Sequence, residues 1–504
     1  MTEWLPEDHL AWFLIDVVAA MDTTAFHAGR ARTKTDRGRA GFDPDMLVTL
    51  LLYGYAHRVH SSRQIERLCT VDVAFRVICA QDAPDHTTIA RFRADHEAAF
   101  TDLFEQVLIV CAKAGLGRVG VIAVDGTKIA ANASVDANRT EDRLRAEVER
   151  IVAAAAKTDA AEDAEYGDAR GDELPTEMAE ATGRVARIRD CLTQIDAEKA
   201  TVAADRAAAD AKAAARLQAA RDRVARAEQE ARAKTEAYQA AWAATGRRPN
   251  GRGPTPPEDS GKVQRARDAL VKAERRDSDR VTRLQARDNA AAKTPSGGAP
   301  RRNVTDPDSR IMPTRRGWIQ GYNAQLAVTD DHLILATRLT QDTVDLHQCQ
   351  PMIAATTSAV AVLTAHRPPA QHPDPQPGAN NGINTILFDA GYLSDDNLTA
   401  PGPPRLIALG KYRDQDRDAQ QHPADGDPAD TDTPIEQMRH RLRTPAGRQT
   451  YQRRAAIVEP VIGHLKDRTG LRTFSRRGLT AATSELHLAA ATTNLVRLHR
   501  TRTA

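Results

Sequence analysis

The sequence predicts a helical N-terminal region followed by an α/β region that a long helical insertion interrupts. Three observations support this fold class. Apolar residues recur at helical spacing throughout residues 1–116. Strand-like apolar runs begin at residue 119 and return only after residue 304. The stretch between them, 136–304, is rich in Ala, Arg, Asp, Glu and Lys, and its apolar residues step by three, four or seven positions.

The composition favours helices and a reducing compartment. The chain has 504 residues, a formal net charge of +2 and only 4% aromatic residues, a balance that argues against a β-sandwich or barrel. Its five cysteines are scattered without metal-ligand or disulfide spacing. The N-terminus carries acids before its apolar residues, unlike a signal peptide. No apolar run approaches the roughly 20 residues that cross a bilayer, so we expect a cytoplasmic protein.

Several short helices make up the N-terminal region. The segment DPDMLVTLLLYGYAHRV predicts a buried helix, and DHTTIARFR opens another after Asp85. Basic side chains at Arg63, Arg67, Arg91 and Arg93 punctuate these helices. The pattern fits a helix-turn-helix that reads DNA. It fits equally well an ordinary helical bundle with solvated arginines, and both interpretations stay open at this point.

The insertion predicts an antiparallel helical hairpin. Its apolar series stops at the Gly- and Pro-rich segment TGRRPNGRGPTPPEDSG and resumes at Val263. The predicted seam is thin and Ala-rich, as in a coiled-coil-like arm. We expect the arm to serve spacing or self-association, because it holds no catalytic constellation.

The second part of the α/β region contains further strands. GYNAQLAVT and LILATRLT predict a hairpin, and TILFDAGY and RLIALG predict two short strands. The acidic segment 412–433 is expected to be a disordered loop. Residues 437–504 carry 14 Lys and Arg against three acids. This surplus favours a phosphate backbone as partner, although a merely solvated basic face is the alternative.

Three acids carry the chemistry that the sequence suggests. Asp125 and Asp389 each end a predicted strand, and Glu459 lies in the basic C-terminal region. A single Asp at a strand end is more often a turn or cap residue, and only the combination is informative. Grouped carboxylates repel one another unless a divalent cation joins them, and such a site suits phosphodiester chemistry. We interpret four other acids as helix caps, in preference to supporting groups: Asp342, Asp345, Asp395 and Asp396.

The chain resembles a DDE transposase of a bacterial insertion sequence, in which a helical domain precedes a ribonuclease-H-like catalytic domain. The matching motifs are DHTTIARFR, VDGTKIAANAS, GYNAQLAV, FDAGY and GRQTYQRRAAIVEPVIGHLKDRTGLRTFSRRGL, in this order. The resemblance implies a mixed sheet of the ribonuclease-H type. It divides the chain into a DNA-binding domain (1–116), two catalytic segments (117–135 and 305–411), the insertion (136–304), the acidic loop (412–433) and the Glu helix with the basic C-terminal helices (434–504).

The resemblance also implies roles for individual residues. Asp125, Asp389 and Glu459 correspond to the metal-binding triad, which implies Mg²⁺ or Mn²⁺, with two ions expected. Many relatives carry a cysteine cluster before the Glu helix; this chain does not, and we expect no zinc. Pro460 predicts a kink or a restart of the Glu helix. The residues expected to contact DNA are Arg63, Arg91, Arg93, Tyr451, Arg454, Lys466, Arg476 and Arg477.

The implied function is transposition. The resemblance implies that the chain binds terminal inverted repeats of double-stranded DNA, hydrolyses phosphodiester bonds there and joins the ends to target DNA. It implies a homodimer or higher oligomer, no membrane association, and a cytoplasmic, nucleoid-associated location in a bacterium. Two alternatives remain: a stand-alone metal-dependent nuclease, and an inactive DNA-binding descendant of a transposase.

Overall fold

The computed structural model describes residues 2–28, 41–166, 176–249, 253–292, 300–368, 382–429 and 432–503. They form two compact units. The first unit comprises Met1–Ala137 and Thr305–Ala504, and the second comprises Asn138–Val304. The N-terminal helices therefore belong to the same unit as the sheet, whereas the sequence suggested a separate domain for them.

Seven α-helices among the described residues precede the sheet, and side-chain caps begin several of them. Asp43, which precedes Pro44, accepts a hydrogen bond from the Asp45 amide at the start of one helix. Asp85 accepts hydrogen bonds from the amides of Thr87 and Thr88 at the start of another. These caps satisfy amide groups that the first helical turn leaves without a partner. The helices are α1 (Leu10–Ala20), α2 (Thr24–His27), α3 (Pro44–Ala56), α4 (Ser62–Val71), α5 (Val73–Ile78), α6 (His86–Asp95) and α7 (Ala99–Lys113).

The first unit contains a mixed sheet, as the resemblance implied. Its strands are β1 (Val121–Ala130), β4 (Arg310–Thr314), β5 (Gly317–Thr329), β6 (Ile334–Thr340), β7 (Thr385–Phe388) and β8 (Arg405–Ile407); β2 (Asn138–Thr140) and β3 (Arg301–Asn303) belong to the second unit. The order is β4-β5-β1-β7-β8, and β6 also pairs with β5. Strands β1, β7 and β8 are mutually parallel, whereas β5 is antiparallel to β1, β4 and β6. The β5–β6 pair confirms the predicted hairpin.

Strand β1 does not end at Asp125, contrary to the sequence-based expectation. It continues to Ala130 because β5 pairs with it from Ile122 to Ala130, whereas β7 pairs only with Val121 to Ala123. Asp125 thus lies in mid-strand, beside the point where β7 ends.

The acidic segment 412–433 also differs from the expectation of a disordered loop. Its first part forms helix α13 (Tyr412–Gln421). Asp416 pairs with Arg448 at 2.8 Å, and Asp418 pairs with Arg443 at 2.7 Å. These basic partners neutralise the acids that made the segment look disordered. Residues 430 and 431 lie outside the described residues.

The remaining helices of the first unit are α11 (Cys349–His366), α12 (Asp395–Thr399), α14 (Pro434–Arg443), α15 (Pro445–Asp467) and α16 (Leu479–Thr503). Helix α16 is buried along most of its length and packs against α3, α7 and β6. One continuous hydrophobic cluster therefore includes residues of the N-terminal helices, the sheet and the C-terminal helices.

In its described part, the second unit contains a two-stranded sheet and three α-helices. Strand β2 pairs with β3, and the helices are α8 (Glu141–Tyr166), α9 (Thr176–Thr245) and α10 (Gly261–Ala292). Helices α9 and α10 run antiparallel, since Glu230 pairs with Lys262 while Asp210 pairs with Arg280. Small apolar side chains are buried between them: Ala227, Ala231, Val263 and Ala266.

None of the helices in the described part of the chain is long and apolar enough to cross a membrane.

Candidate active site

The sheet register brings Asp125 and Asp389 to the same level on neighbouring strands. Ala123 of β1 pairs in parallel with Leu387 of β7, and each aspartate follows two residues later. Neighbouring strands lie about 4.8 Å apart. Asp125 Oδ1 accepts a hydrogen bond from the Gly126 amide, and Asp389 Oδ1 accepts one from the Gly391 amide, each at 2.8 Å. Both carboxylates are thereby oriented by backbone amides.

Burial and a neighbouring carboxylate disfavour the ionised form of Asp125. Burial raises its pKa to about 6, the charge of Arg454 opposes this rise, and the charge of Asp389 adds to it. Arg454 Nη1 lies 3.1 Å from Asp125 Oδ2, yet it finds no well-aligned hydrogen-bond acceptor among the described residues. The site therefore holds two crowded carboxylates that a single arginine compensates incompletely.

Among the described residues, the Glu459 side chain does not form a close group with the carboxylates of Asp125 and Asp389. It is exposed on α15, a helix that packs against β1, β5 and β7. Within the described ranges, the one group of three metal-ligating side chains whose atoms lie within 4.8 Å of one another is His27, Asp43 and Asp45. Helix α15 continues through Pro460, so the predicted restart of the helix does not occur.

Tyr451 supports the strand that precedes Asp389. Its side chain is buried, and its hydroxyl donates to the Phe388 carbonyl at 3.0 Å. Burial raises the pKa of Tyr451 to about 12. The expectation that Tyr451 contacts DNA is therefore wrong for this structure, because the ring faces the protein interior.

Lys466 reaches β1 from the far end of α15. Its Nζ donates to the Lys128 carbonyl at 3.1 Å, and burial lowers the pKa of the ammonium group. Lys466 therefore joins the Glu helix to the strand that carries Asp125. This contact leaves its side chain half-buried.

Asp345 lies against Gly126 of β1 and near Gly391 of the turn after Asp389, and the sequence interpretation as a helix cap is wrong. The residue precedes a short 3₁₀ turn, but its side chain makes no capping hydrogen bond. Its Oδ1 instead accepts from Gln325 Nε2 at 2.7 Å, from Asn323 Nδ2 at 2.8 Å and from Lys128 Nζ at 3.3 Å. Asp345 is thus a supporting residue of the candidate site.

Two glycines explain why Asp345 fits there. A Cβ added to Gly126 would lie 2.4 Å from both Asp345 Oδ1 and Gln325 Nε2. A Cβ added to Gly391 would lie 3.0 Å from Asp389 Oδ1 and 3.5 Å from Asp345 Oδ2. Gly126 directly follows Asp125 in β1, and Gly391 lies two residues after Asp389, so Asp345 packs beside both aspartates.

Gln325 extends this network to Tyr392. The Tyr392 hydroxyl donates to Gln325 Oε1, and the Gln325 amide donates to Asn323 Oδ1 at 3.1 Å. Burial raises the pKa of Tyr392 well above its usual value, and the charges of Asp345, Asp125 and Asp389 raise it further. One sequence signal that could have indicated this network was the alternating amides Asn323 and Gln325 within β5.

The arginines expected to contact DNA divide into two groups. Arg63, Arg91 and Arg477 are exposed, although Arg477 Nε also donates to the Asn132 carbonyl at 3.0 Å. They remain candidates for phosphate contacts.

The prediction that Arg93 and Arg476 contact DNA is wrong, because both side chains make internal contacts. Arg93 is 6% exposed, and it donates to the His60 carbonyl, the Tyr55 hydroxyl and Ser475 Oγ at 2.8–3.0 Å. Arg476 pairs with Glu97 and donates to the Arg93 carbonyl. Charge alone suggested a surface role, but these guanidinium groups join the N-terminal helices to the C-terminal segment.

Two family models match the chain. A transposase domain (DUF772) matches residues 1–95, and a transposase DDE domain matches residues 427–499. The second range contains Glu459, Arg454 and Lys466, whereas Asp125 and Asp389 lie outside both ranges. Neither the curated proteins nor the solved structures include a significant match.

The two matched ranges meet in the structure. Arg93 and Tyr55 of the first range contact Glu485 and Ser475 of the second. Members of the DDE family generally use divalent metal ions and act on DNA. One match at each end of the chain supports its identification as a DDE transposase of the insertion-sequence type.

Proposed function

We propose that this transposase binds the terminal inverted repeats of its own element, hydrolyses phosphodiester bonds at the element ends and joins the freed 3′-hydroxyls to target DNA. The observation that carries the proposal is the position of Asp125 in β1 and of Asp389 directly after β7, each two residues beyond the paired Ala123 and Leu387, beside the helix that bears Glu459. The mixed order of the strands supports a sheet of the ribonuclease-H-like type.

The donor set fits a divalent cation. Asp125 and Asp389 offer hard oxygen ligands of the kind that Mg²⁺ and Mn²⁺ prefer, and their mutual repulsion contributes to the raised pKa of Asp125. We assign the third ligand to Glu459, whose exposed side chain has no hydrogen bond or ion pair among the described residues. A divalent cation at this site would activate a nucleophilic oxygen and stabilise the leaving oxygen.

The protein's own residues orient these carboxylates and the DNA. Arg454 compensates the charge of Asp125, since its Nη1 lies 3.1 Å from Asp125 Oδ2. Tyr451 holds the end of β7, and Lys466 holds α15 against β1. Arg63 and Arg91 present exposed charge on two N-terminal helices for the element ends.

Cleavage of labelled DNA that carries the flanking inverted repeats tests the proposal. We expect nicking at the element ends with Mg²⁺ or Mn²⁺, no nicking with chelator, and joining of the ends to a second duplex. DNA binding without cleavage under either metal would contradict the proposal and favour the inactive descendant. Cleavage without joining would favour the stand-alone nuclease.

Replacing Asp345 with Ala should lower the cleavage rate by about 10- to 100-fold, the range typical of residues that support metal ligands. The change removes the carboxylate that accepts hydrogen bonds from Gln325, Asn323 and Lys128 beside Asp125 and Asp389. The Mg²⁺ concentration for half-maximal cleavage should rise as well, and a titration of rate against Mg²⁺ measures both effects.

Asp342→Ala is the matched control for this variant. Asp342 lies three residues before Asp345 and accepts a hydrogen bond from Gln348. It has no described contact with Asp125, Asp389 or the glycines that follow them. The control should keep the wild-type Mg²⁺ dependence. A rate and a Mg²⁺ midpoint for Asp345→Ala equal to those of the control would refute the supporting role.

A further inference from the structure

A small basic cleft lies where α3 and α15 end and α16 passes. It has a volume of about 190 Å³, and its lining includes His57, Arg58, His464, Arg468 and Arg500. A water molecule occupies roughly 30 Å³ in the liquid, so the cleft has room for several waters or one phosphate group. No acidic residue lines it.

The positive charge of this cleft lacks an acidic partner. Among the described residues, no carboxylate lies within ion-pair distance of Arg58, Arg468 or Arg500, all of which are exposed. Burial lowers the pKa of His464, and the charges of Arg500, Arg468 and Arg497 lower it further. The cleft therefore presents positive charge to solvent from three exposed arginines.

The C-terminal ends of two helices bring these cations together. Arg58 and Gly470 both adopt left-handed φ angles, of 62° and 81°, and a Cβ on Gly470 would lie 3.2 Å from Arg58 Cβ. Arg58 Nε donates to the Arg468 carbonyl at 3.3 Å, and His60 Nε2 bonds to the Thr469 carbonyl at 2.7 Å. Both left-handed residues end helices, as the amide of Val59 bonds to the Gly54 carbonyl after α3 and that of Leu471 to the Leu465 carbonyl after α15.

Helix dipoles offer a structural explanation for part of this charge. Helices α3 and α15 end at the cleft, and a helix C-terminus carries about half a negative charge. Arg58 and the carbonyl of Arg468 fit that role, since they are in contact. The guanidinium groups of Arg468 and Arg500, however, form no described hydrogen bond, so helix termini leave their charge available.

We propose that this basic cleft binds a phosphate group of the DNA backbone, at a position separate from the candidate active site. The proposal rests on the proposed function, because it takes DNA as the partner. Arg468 lies about 180° around an ideal helix from Glu459, and His464 lies about 140° from it. The cleft therefore engages a different part of the DNA from the part that meets the carboxylates.

The salt dependence of DNA binding by the full chain tests this proposal. Each phosphate contact contributes about 0.9 to the slope of log K against log salt concentration. The double variant Arg468→Gln with Arg500→Gln should therefore reduce the slope of duplex binding by about 1 to 2. Fluorescence anisotropy of a labelled duplex, titrated over a range of KCl concentrations, measures this slope.

The matched control removes two exposed arginines that lie outside the cleft and outside residues 437–504, Arg118→Gln with Arg413→Gln. It changes the net charge equally and should leave the slope within experimental error of wild type. The single variant Arg500→Gln, at an exposed position without a described hydrogen bond, serves if the double variant does not fold; its slope should fall by about 1.

Separate outcomes distinguish failure of the cleft from failure of the proposed function. If wild type shows no salt-dependent DNA binding, the proposed function fails. If wild type binds but the cleft variants keep its slope, the cleft proposal alone is overturned. A second measurement then identifies what the cleft binds. If the slope is unchanged and inorganic phosphate raises the thermal midpoint of wild type but not of the variants, the cleft binds a free anion and the DNA proposal is overturned.

Discussion

Replacing Asp125 with Asn should reduce DNA cleavage by on the order of 10³-fold or more, while binding to the element ends persists. Asn keeps the size of the side chain but loses the negative charge that a divalent cation requires. Asp389→Asn and Glu459→Gln should have effects of the same order, because we assign all three carboxylates to one metal site. Single-turnover cleavage of labelled DNA, alongside anisotropy for binding, measures both properties.

Asp395→Asn is the control for these variants. It removes an exposed acid six residues after Asp389 and should leave cleavage unchanged. Wild-type cleavage by Asp125→Asn or Asp389→Asn would refute the site itself. If only Glu459→Gln kept wild-type cleavage, the third ligand would be another residue. Of the three proposed ligands, Glu459 is the one that does not lie in or next to strands β1 and β7.

Asp125→Asn should also change the pH dependence of stability. The folded pKa of Asp125 is about 6, above the usual 3.8, chiefly because of burial. A carboxyl group with a raised folded pKa destabilises the fold as pH rises from about 4 through 6, because the folded state then resists losing the proton. In chelator, the thermal midpoint of wild type should therefore fall relative to that of Asp125→Asn between pH 4 and pH 7. A constant difference would contradict the burial of an uncompensated carboxylate.

Replacing Glu485 with Ala should lower the free energy of unfolding by about 3–5 kcal/mol, the usual cost of removing one partner of a buried ion pair. The Glu485 side chain is fully buried and lies 3.9 Å from Arg93 Nη2. It also accepts hydrogen bonds from the Tyr55 hydroxyl and the Ser475 amide. The change strands the Arg93 charge in the core, and urea denaturation measures the loss.

Glu105→Ala provides the exposed control on α7 and should change stability by less than about 0.5 kcal/mol. The double variant Arg93→Ala with Glu485→Ala should lose less than the sum of the single variants, since no unpaired charge remains. Additive losses would show that the two residues act independently. Arg93→Ala should also leave the salt slope of DNA binding unchanged if the protein stays folded, because Arg93 is internal.

The sequence was informative where local pattern determines structure. Alternating and apolar runs predicted the β5–β6 hairpin and the short strands before Asp389 and Gly410. The helical periodicity of the insertion predicted its two antiparallel helices. The ordered motifs around Asp125, Asp389 and Glu459 predicted the family, which the two domain matches support. These features depend on residues close together in the chain.

Other features depended on partners far away in the sequence. Strand β1 extends past Asp125 because β5, about 200 residues later, continues to pair with it. The acidic segment forms α13 because Arg443 and Arg448 neutralise its aspartates. No local pattern contains such partners, so periodicity and charge predicted a strand end and a disordered loop.

By itself, the sequence predicted the helical N-terminal region, the interrupted α/β region and its helical insertion, together with the transposase family and the three candidate acids. Only the tertiary structure decided which charged residues face inward. Arg93 and Arg476 looked like DNA contacts and Asp345 looked like a cap, yet all three form buried or half-buried networks. Burial and pairing depend on the whole fold, because a side chain's charge is known from its sequence but its partner is supplied by another segment.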